Sequence, residues 1–399
     1  MWQSNSFAPD IACRGRKRFA APAVVPVAVL ACDMTAMRHT LIAFLAVLAA
    51  AGCGALPEPL TAAQSFAARI DALSEPGGYF DTDNLISNER SYLHALDDLR
   101  ALQVRGGAYL GVGPDQNFSY IAELRPGVAY IVDIRRDNML VHLLFKALFT
   151  LSERRIEYLS LLFGRAPPER PDEWRSTGVR ALAEHIDRTP ATPEAANEAR
   201  RAVDRAIVRF GVSLSDADRT TIDRFHRTFM RASLDLRFQS AGRPPRFYYP
   251  TYRELLLETD RHGEQGHYLA SEARYQIVRA LQLTDRVVPV VGDLAGEHAL
   301  AAIDRALRQQ GQRVSAFYTS NVEYYLFQQA RYRRFLDNLA RLPHADHSVV
   351  IRSVFANTAG RVPGKTMPGY FSTSLVQPVP DLLDGFATGR YASYWDLIR

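Results

Sequence analysis

The chain has 399 residues, with 48 Lys and Arg against 43 Asp and Glu, a formal net charge of +5 and three cysteines. Five bases (Arg14, Arg16, Lys17, Arg18, Arg38) and two acids (Asp10, Asp33) fall in the first 52 residues. The remaining 43 bases and 41 acids therefore point to no nucleic-acid partner, and with only Cys53 left beyond Cys13 and Cys32 neither an internal disulfide nor a Cys-based metal site is expected.

From Met37 the chain reads MRHTLIAFLAVLAAAGCG: one arginine, a short apolar run over 41–51, and small residues before Cys53. The run is too short for a confident membrane span. The stretch Ala50-Ala51-Gly52-Cys53 resembles the lipobox of a bacterial lipoprotein signal. That resemblance implies cleavage before Cys53, acylation of Cys53, and an exported, membrane-anchored protein. Residues 1–36 sit awkwardly upstream, so translation is expected to start at Met37 or Met34. If the leader is instead an artefact of the start site, the protein stays in the cytoplasm. The expected organisation is a leader over 1–53, a tether over 54–83 and one Rossmann-like domain over 84–399.

Leucines 93, 96, 99 and 102 recur three apart and predict a helix leading into the first strand. That strand runs into Gly111-Val112-Gly113, a helix follows, and a second strand over 128–132 ends on Asp133. A Gly-rich strand-to-helix turn with an acid closing the next strand is how Rossmann-like sheets hold a nucleoside. Gly111 and Gly113 let the backbone bend and approach a ligand. Asp115, Gln116 and Asn117 open the helix whose free N–H groups face it, and Asp133 is placed to accept from ribose hydroxyls. The third glycine of the dinucleotide fingerprint is absent, and Asp115 would repel a pyrophosphate. An uncharged or cationic nucleoside such as S-adenosylmethionine suits the turn better. A tight turn that binds nothing is the competing reading.

Helices are expected over 139–163, 177–188, 193–210 and 215–238, forming a helical insertion at about 138–285. Strands resume at 287–291, 314–318, 348–355 and about 370–376, with helices over 298–309 and 323–340 between them. This alternation predicts an α/β, Rossmann-like three-layer sandwich with a mostly parallel sheet. The polar stripe Asn138, His142, Lys146 and Thr150 recurs every four residues on one helix, facing either solvent or a polar cavity. In the second case His142 serves as a general base. The run Arg331-Tyr332-Arg333-Arg334 reads as a solvated helix face. His344, Asp346 and His347 lack a fourth ligand at a recognisable spacing and read as a turn before a strand, so no metal is expected. No Gly-x-Ser-x-Gly elbow, P-loop or His-Glu-x-x-His occurs.

The segments SNERSYL, YLGVGPDQNFSYIAEL, IVDIRRDNMLVHLLFKALF, YLASEARYQIVRAL, VVPVVGDLAG and FYTSNVEYYLF together resemble a largely uncharacterised bacterial family with a fold of the class I methyltransferase type. The resemblance implies S-adenosylmethionine as cofactor, Asp133 on the ribose and Asp293 near the adenine, Asp293 being open also to a helix-capping role. Ligands gather at the carboxyl ends of strands, a rule that also selects Arg135, Ser320, Asn321 and Glu323. Arg135 either recognises an anion or pairs with a surface acid. The expected catalytic set is His142, Asn321 and Glu323. Two functions follow: a methyltransferase-like enzyme, or a non-catalytic, membrane-tethered binding module that keeps the fold. Oligomeric state is not legible.

Overall fold

The computed structural model describes residues 65–82, 85–240, 244, 246–356 and 360–398. The leader and Cys53 lie outside them. Six strands form one sheet: β1 (Ala108–Gly111), β2 (Val128–Asp133), β3 (Val287–Val291), β4 (Val314–Ser320), β5 (His344–Phe355) and β6 (Ser372–Pro378). Their order is β3-β2-β1-β4-β5-β6, parallel throughout except that β6 runs antiparallel to β5. The chain is thus an α/β protein with a mostly parallel sheet between helices, as the alternation predicts. Chain order reverses between β1 and β4, which is the switch point where α/β sheets open a crevice.

Helices α1 (Phe66–Leu73), α2 (Ala95–Ala101) and α3 (Gln116–Leu124) flank the first strand. The insertion carries α4 (Arg136–Leu151), α5 (Arg155–Leu162), α6 (Val179–Arg188), α7 (Pro193–Arg209), α8 (Asp216–Ala232), α9 (Tyr252–Leu256) and α10 (Glu272–Leu283). The rest of the sheet is covered by α11 (Ala299–Gln309), α12 (Val322–Gln328), α13 (Tyr332–Arg341) and α14 (Val379–Ala387). Among the described residues no helix is long and apolar enough to cross a membrane.

Four expectations change. Residues 65–82 are no free tether: Ser65 caps α1, whose Phe66, Ile70 and Leu73 are buried, and Ser74 and Glu75 hydrogen-bond Val291. This segment covers the outer edge of β3, an exposed edge being a liability. The single helix expected over 139–163 is two, because Ser152 turns extended and the Glu157 carboxylate accepts from the Glu153 and Arg154 amides to start α5. Likewise 323–340 splits at Ala330, whose φ of 55° is left-handed. His344, Asp346 and His347 open β5 instead of a turn, and His344 is held by Ser348 and the Leu339 carbonyl.

Most of the stripe on α4 faces neither solvent nor cavity, and only Thr150 at its end is exposed. Asn138, His142 and Lys146 are all buried. The Lys146 ammonium meets the Asp285 carboxylate at 2.7 Å and lies 4.4 Å from the centre of the Phe66 ring. A cation in the core is tolerable only when paired in this way.

Candidate functional site

A cavity of about 370 Å³ opens at the carboxyl ends of β1 to β4. Its floor is Val112, Gly113 and Gln116 after β1, Asp133 and Arg135 after β2, Gly292 and Asp293 after β3, and Ser320 and Asn321 after β4. Tyr79, Phe80, Tyr248, Tyr249, Tyr324 and Tyr325 wall it with aromatic surface. Gly113 and Asp133 share this one hollow, at the size and composition of a small-molecule site.

The turn after β1 is built from the inside. A Cβ at Gly111 would lie 1.9 Å from Asn117 Oδ1 and 2.8 Å from the Tyr109 hydroxyl. Glycine is therefore demanded there by internal packing, and Gly111 does not line the cavity. Asn117 is fully buried; its Nδ2 donates to the carbonyls of Val112 (2.9 Å), Gly113 (3.2 Å) and Pro114 (2.7 Å), and its Oδ1 accepts from Tyr109. Asn117 clamps the turn. Gly113 itself, at φ 80°, is left-handed and faces the cavity.

His142 lies behind the same turn, with Nε2 2.9 Å from the Gly113 carbonyl, to which it donates. Burial lowers its pKa to about 4, the bond to Gly113 acting against this. It holds the turn from below and does not line the cavity. Asp115 also turns away: it is buried, and its Oδ2 accepts from the Tyr268 hydroxyl at 3.2 Å. Burial pushes its pKa up to about 7, against the bonds from Tyr268 and Tyr252. The expected clash between Asp115 and a pyrophosphate is thereby removed.

Gln116 does face the cavity. Its Nε2 donates to the Tyr318 hydroxyl at 3.4 Å, while its Oε1 is buried with no partner. Because the Tyr318 hydroxyl donates to Glu89 at 2.5 Å, it accepts from Gln116, and this orients the amide with its oxygen free. A buried carbonyl without a donor costs stability, as do the unpartnered amides of Asn138 and Gln282 away from the cavity.

Asp133 accepts the Arg135 amide at 2.9 Å and lies 3.4 Å from its guanidinium, which also donates to the Thr82 carbonyl. Asp293 accepts the Ala295 amide at 2.9 Å and pairs with Arg331 at 2.6 Å; α11 begins only at Ala299, so Asp293 shapes a loop and does not cap the helix. Both carboxylates line the cavity, each paired with an arginine that lines it too. Arg331 is accordingly a partner of the site and no mere solvated residue. Glu323 is buried, bound to Arg352 Nε at 2.6 Å and the Tyr332 hydroxyl at 2.8 Å, and lies outside the cavity lining. Of the three expected catalytic residues only Asn321 lines it.

One acidic group escaped the sequence reading. Glu89 is fully buried and accepts hydroxyl protons from Tyr318, Ser320 and Ser353. Burial raises its pKa, opposed by those three bonds. In sequence Glu89 sits between Asn88 and Arg90 and reads as surface; only the meeting of its segment with β4 and β5 buries it.

A family model described as a domain of unknown function (DUF7790) matches residues 85–387. No curated protein matches the chain.

Proposed function

The chain belongs to the family described as a domain of unknown function (DUF7790), and we propose that this member binds a nucleoside-bearing small molecule, S-adenosylmethionine foremost, in the cavity between Gly113, Asp133 and Asp293. The observation that carries the reading is the cavity itself, which opens at the switch point of the sheet and brings Gly113, Asp133 and Asp293 together. Its surroundings fit such a ligand. Gly113 leaves the backbone open to close approach, Asp133 and Asp293 offer acceptors to hydroxyl and amino groups, and the aromatic walls offer faces to a base. The guanidinium groups of Arg135 and Arg331 are at hand for a ligand carboxylate.

Within this reading the protein is either methyltransferase-like or a binding module without turnover. The second gains from the burial of His142 and Glu323, neither of which meets the cavity. A lipid anchor at Cys53, which would place the pocket outside the cytoplasmic membrane, remains part of the proposal on the resemblance of 50–53 to a lipobox.

Calorimetric titration of the purified chain with S-adenosylmethionine, and in parallel with NAD, tests the ligand. Saturable heat with the sulfonium nucleoside, lost in Asp133→Ala and Gln116→Leu, is expected. No heat at millimolar ligand rejects the proposal, and tighter binding of NAD replaces the nucleoside named.

A further inference from the structure

Glu89 has no counterpart in the structural chemistry around it. Buried carboxylates are ordinarily paired with a cation, as Glu323 is with Arg352. Glu89 instead takes three hydroxyl donors, two from β4 (Tyr318, Ser320) and one from β5 (Ser353). The hydroxyls of Tyr109, Tyr120 and Tyr394 are near enough to feel its charge, and no arginine, lysine or histidine among the described residues pairs with it.

Two of its connections reach the cavity. Ser320 lines the cavity and hydrogen-bonds Glu89 directly; Gln116 lines it and reaches Glu89 through Tyr318. Ser320 also stands in a left-handed backbone conformation, φ 53°, at the corner where β4 ends and α12 is about to begin. A non-glycine residue held there is strained, and such strain collects at functional sites. The corner thus places a hydroxyl at the carboxyl end of a strand, with one residue between it and a helix.

We propose that Ser320 and Glu89 form a proton-accepting pair that serves a hydroxyl or amine of a molecule bound in this pocket. The inference rests on the reading of the pocket as a ligand site and supplies what His142 and Glu323 do not, a proton acceptor within its reach. A bound methyl sulfonium supplies an electrophilic carbon: as the new O–C or N–C bond forms, the electron pair of the C–S bond passes to sulfur and the acceptor must shed a proton. Ser320 Oγ takes that proton while its own passes to the Glu89 carboxylate. Glu89 then returns it through Ser320 to water in the open pocket. Ser320 is the group that touches the substrate, and Glu89 is a positioning residue acting through it.

A hydroxyl whose proton has somewhere to go also captures boron, and this tests the pair without a known substrate. Phenylboronic acid is added to the full chain and followed by boron-11 NMR. A tetrahedral boron signal is expected with the wild type. It should vanish in Ser320→Gly, which removes the hydroxyl and suits the left-handed backbone, and capture should weaken at least tenfold in Glu89→Gln. No tetrahedral signal, a signal that survives Ser320→Gly, or equal capture by Glu89→Gln overturns the pair. If Glu89→Gln does not fold, Ser320→Gly decides. Boron capture with no heat from S-adenosylmethionine would keep the pair and sink the nucleoside; the reverse would keep the nucleoside and sink the pair.

Discussion

The turn after β1 shows how residues that look like ligand contacts serve first to build the place where a ligand sits. Asn117 spends all its hydrogen-bonding capacity on Tyr109 and three turn carbonyls, and His142 donates to one of those carbonyls from the opposite side. Asp115 is the unusual member. Its carboxyl lies among Tyr158, Tyr252 and Tyr268, and burial lifts its pKa from 3.8 to about 7. A carboxyl with a raised folded pKa favours the protonated form, so its contribution is intact below the unfolded pKa and is lost as pH climbs through 7. At pH 8 the ionised group costs up to about 4 kcal/mol. Asp115→Asn keeps an acceptor for Tyr268 and cannot ionise. Its unfolding free energy in urea should exceed that of the wild type at pH 8 and match it near pH 4. Equal stability of the two at pH 8 would show that the carboxyl finds water or a cation in solution.

At the scale of elements, β5 and α12 are tied by a single buried ion pair. Arg352 Nε and Nη2 meet the two oxygens of Glu323, Tyr332 donates to the same carboxylate, and both charged side chains are almost wholly enclosed. Removing one partner leaves the other charged in the core, so Arg352→Met alone should cost about 3–5 kcal/mol, and Arg352→Met with Glu323→Leu should recover most of it. Chemical denaturation of the two variants checks this; a double variant no better than the single would mean that Tyr332 and Thr319, whose hydroxyls both donate to Glu323, depend on the carboxylate. This element was only half legible beforehand. The helix was expected from its apolar spacing, and Glu323 was placed at the strand end, but its pairing depends on Arg352 in a strand that periodicity locates without saying which acid it faces. The same limit hid Glu89, while β3, an unbroken apolar VVPVV, was readable to the residue. Helix breaks at Ser152 and Ala330 were missed because the apolar pattern continues across both, and capping and backbone handedness, not hydrophobicity, end the helices. Gly113, Gln116, Asp133, Arg135, Asp293 and Asn321 were legible as neighbours since the strand-end rule needs only the order of elements.

For the molecule as a whole, buried imidazoles in the helical insertion and beneath the sheet's first turn make the core acid-sensitive. His142 under the turn, His226 donating to the Leu161 carbonyl, and His267 accepting the Leu269 amide are all enclosed, and burial lowers their pKa values to about 4, 4 and 3. An imidazole whose folded pKa lies below its unfolded 6.5 binds its proton more readily in the unfolded chain. Its stabilising share is whole above 6.5 and drains away as pH falls toward the folded value, by roughly 2 kcal/mol for each imidazole at pH 5. Asp115 and Glu89, whose pKa values burial raises, work in the opposite sense over the same range, so the imidazole share is read one residue at a time by substitution. His142 connects this loss to the pocket: protonation would place an unpaired cation beneath Gly113, and relief comes by opening the turn that forms the cavity floor. His142→Gln retains a donor for the Gly113 carbonyl but cannot take up a proton. Urea unfolding at pH 7.5, 6 and 5 should therefore show a shallower acid decline for this variant, by about 2 kcal/mol at pH 5. Parallel curves for variant and wild type would mean that His142 is hydrated and titrates normally, and the turn would then owe its shape to Asn117 alone.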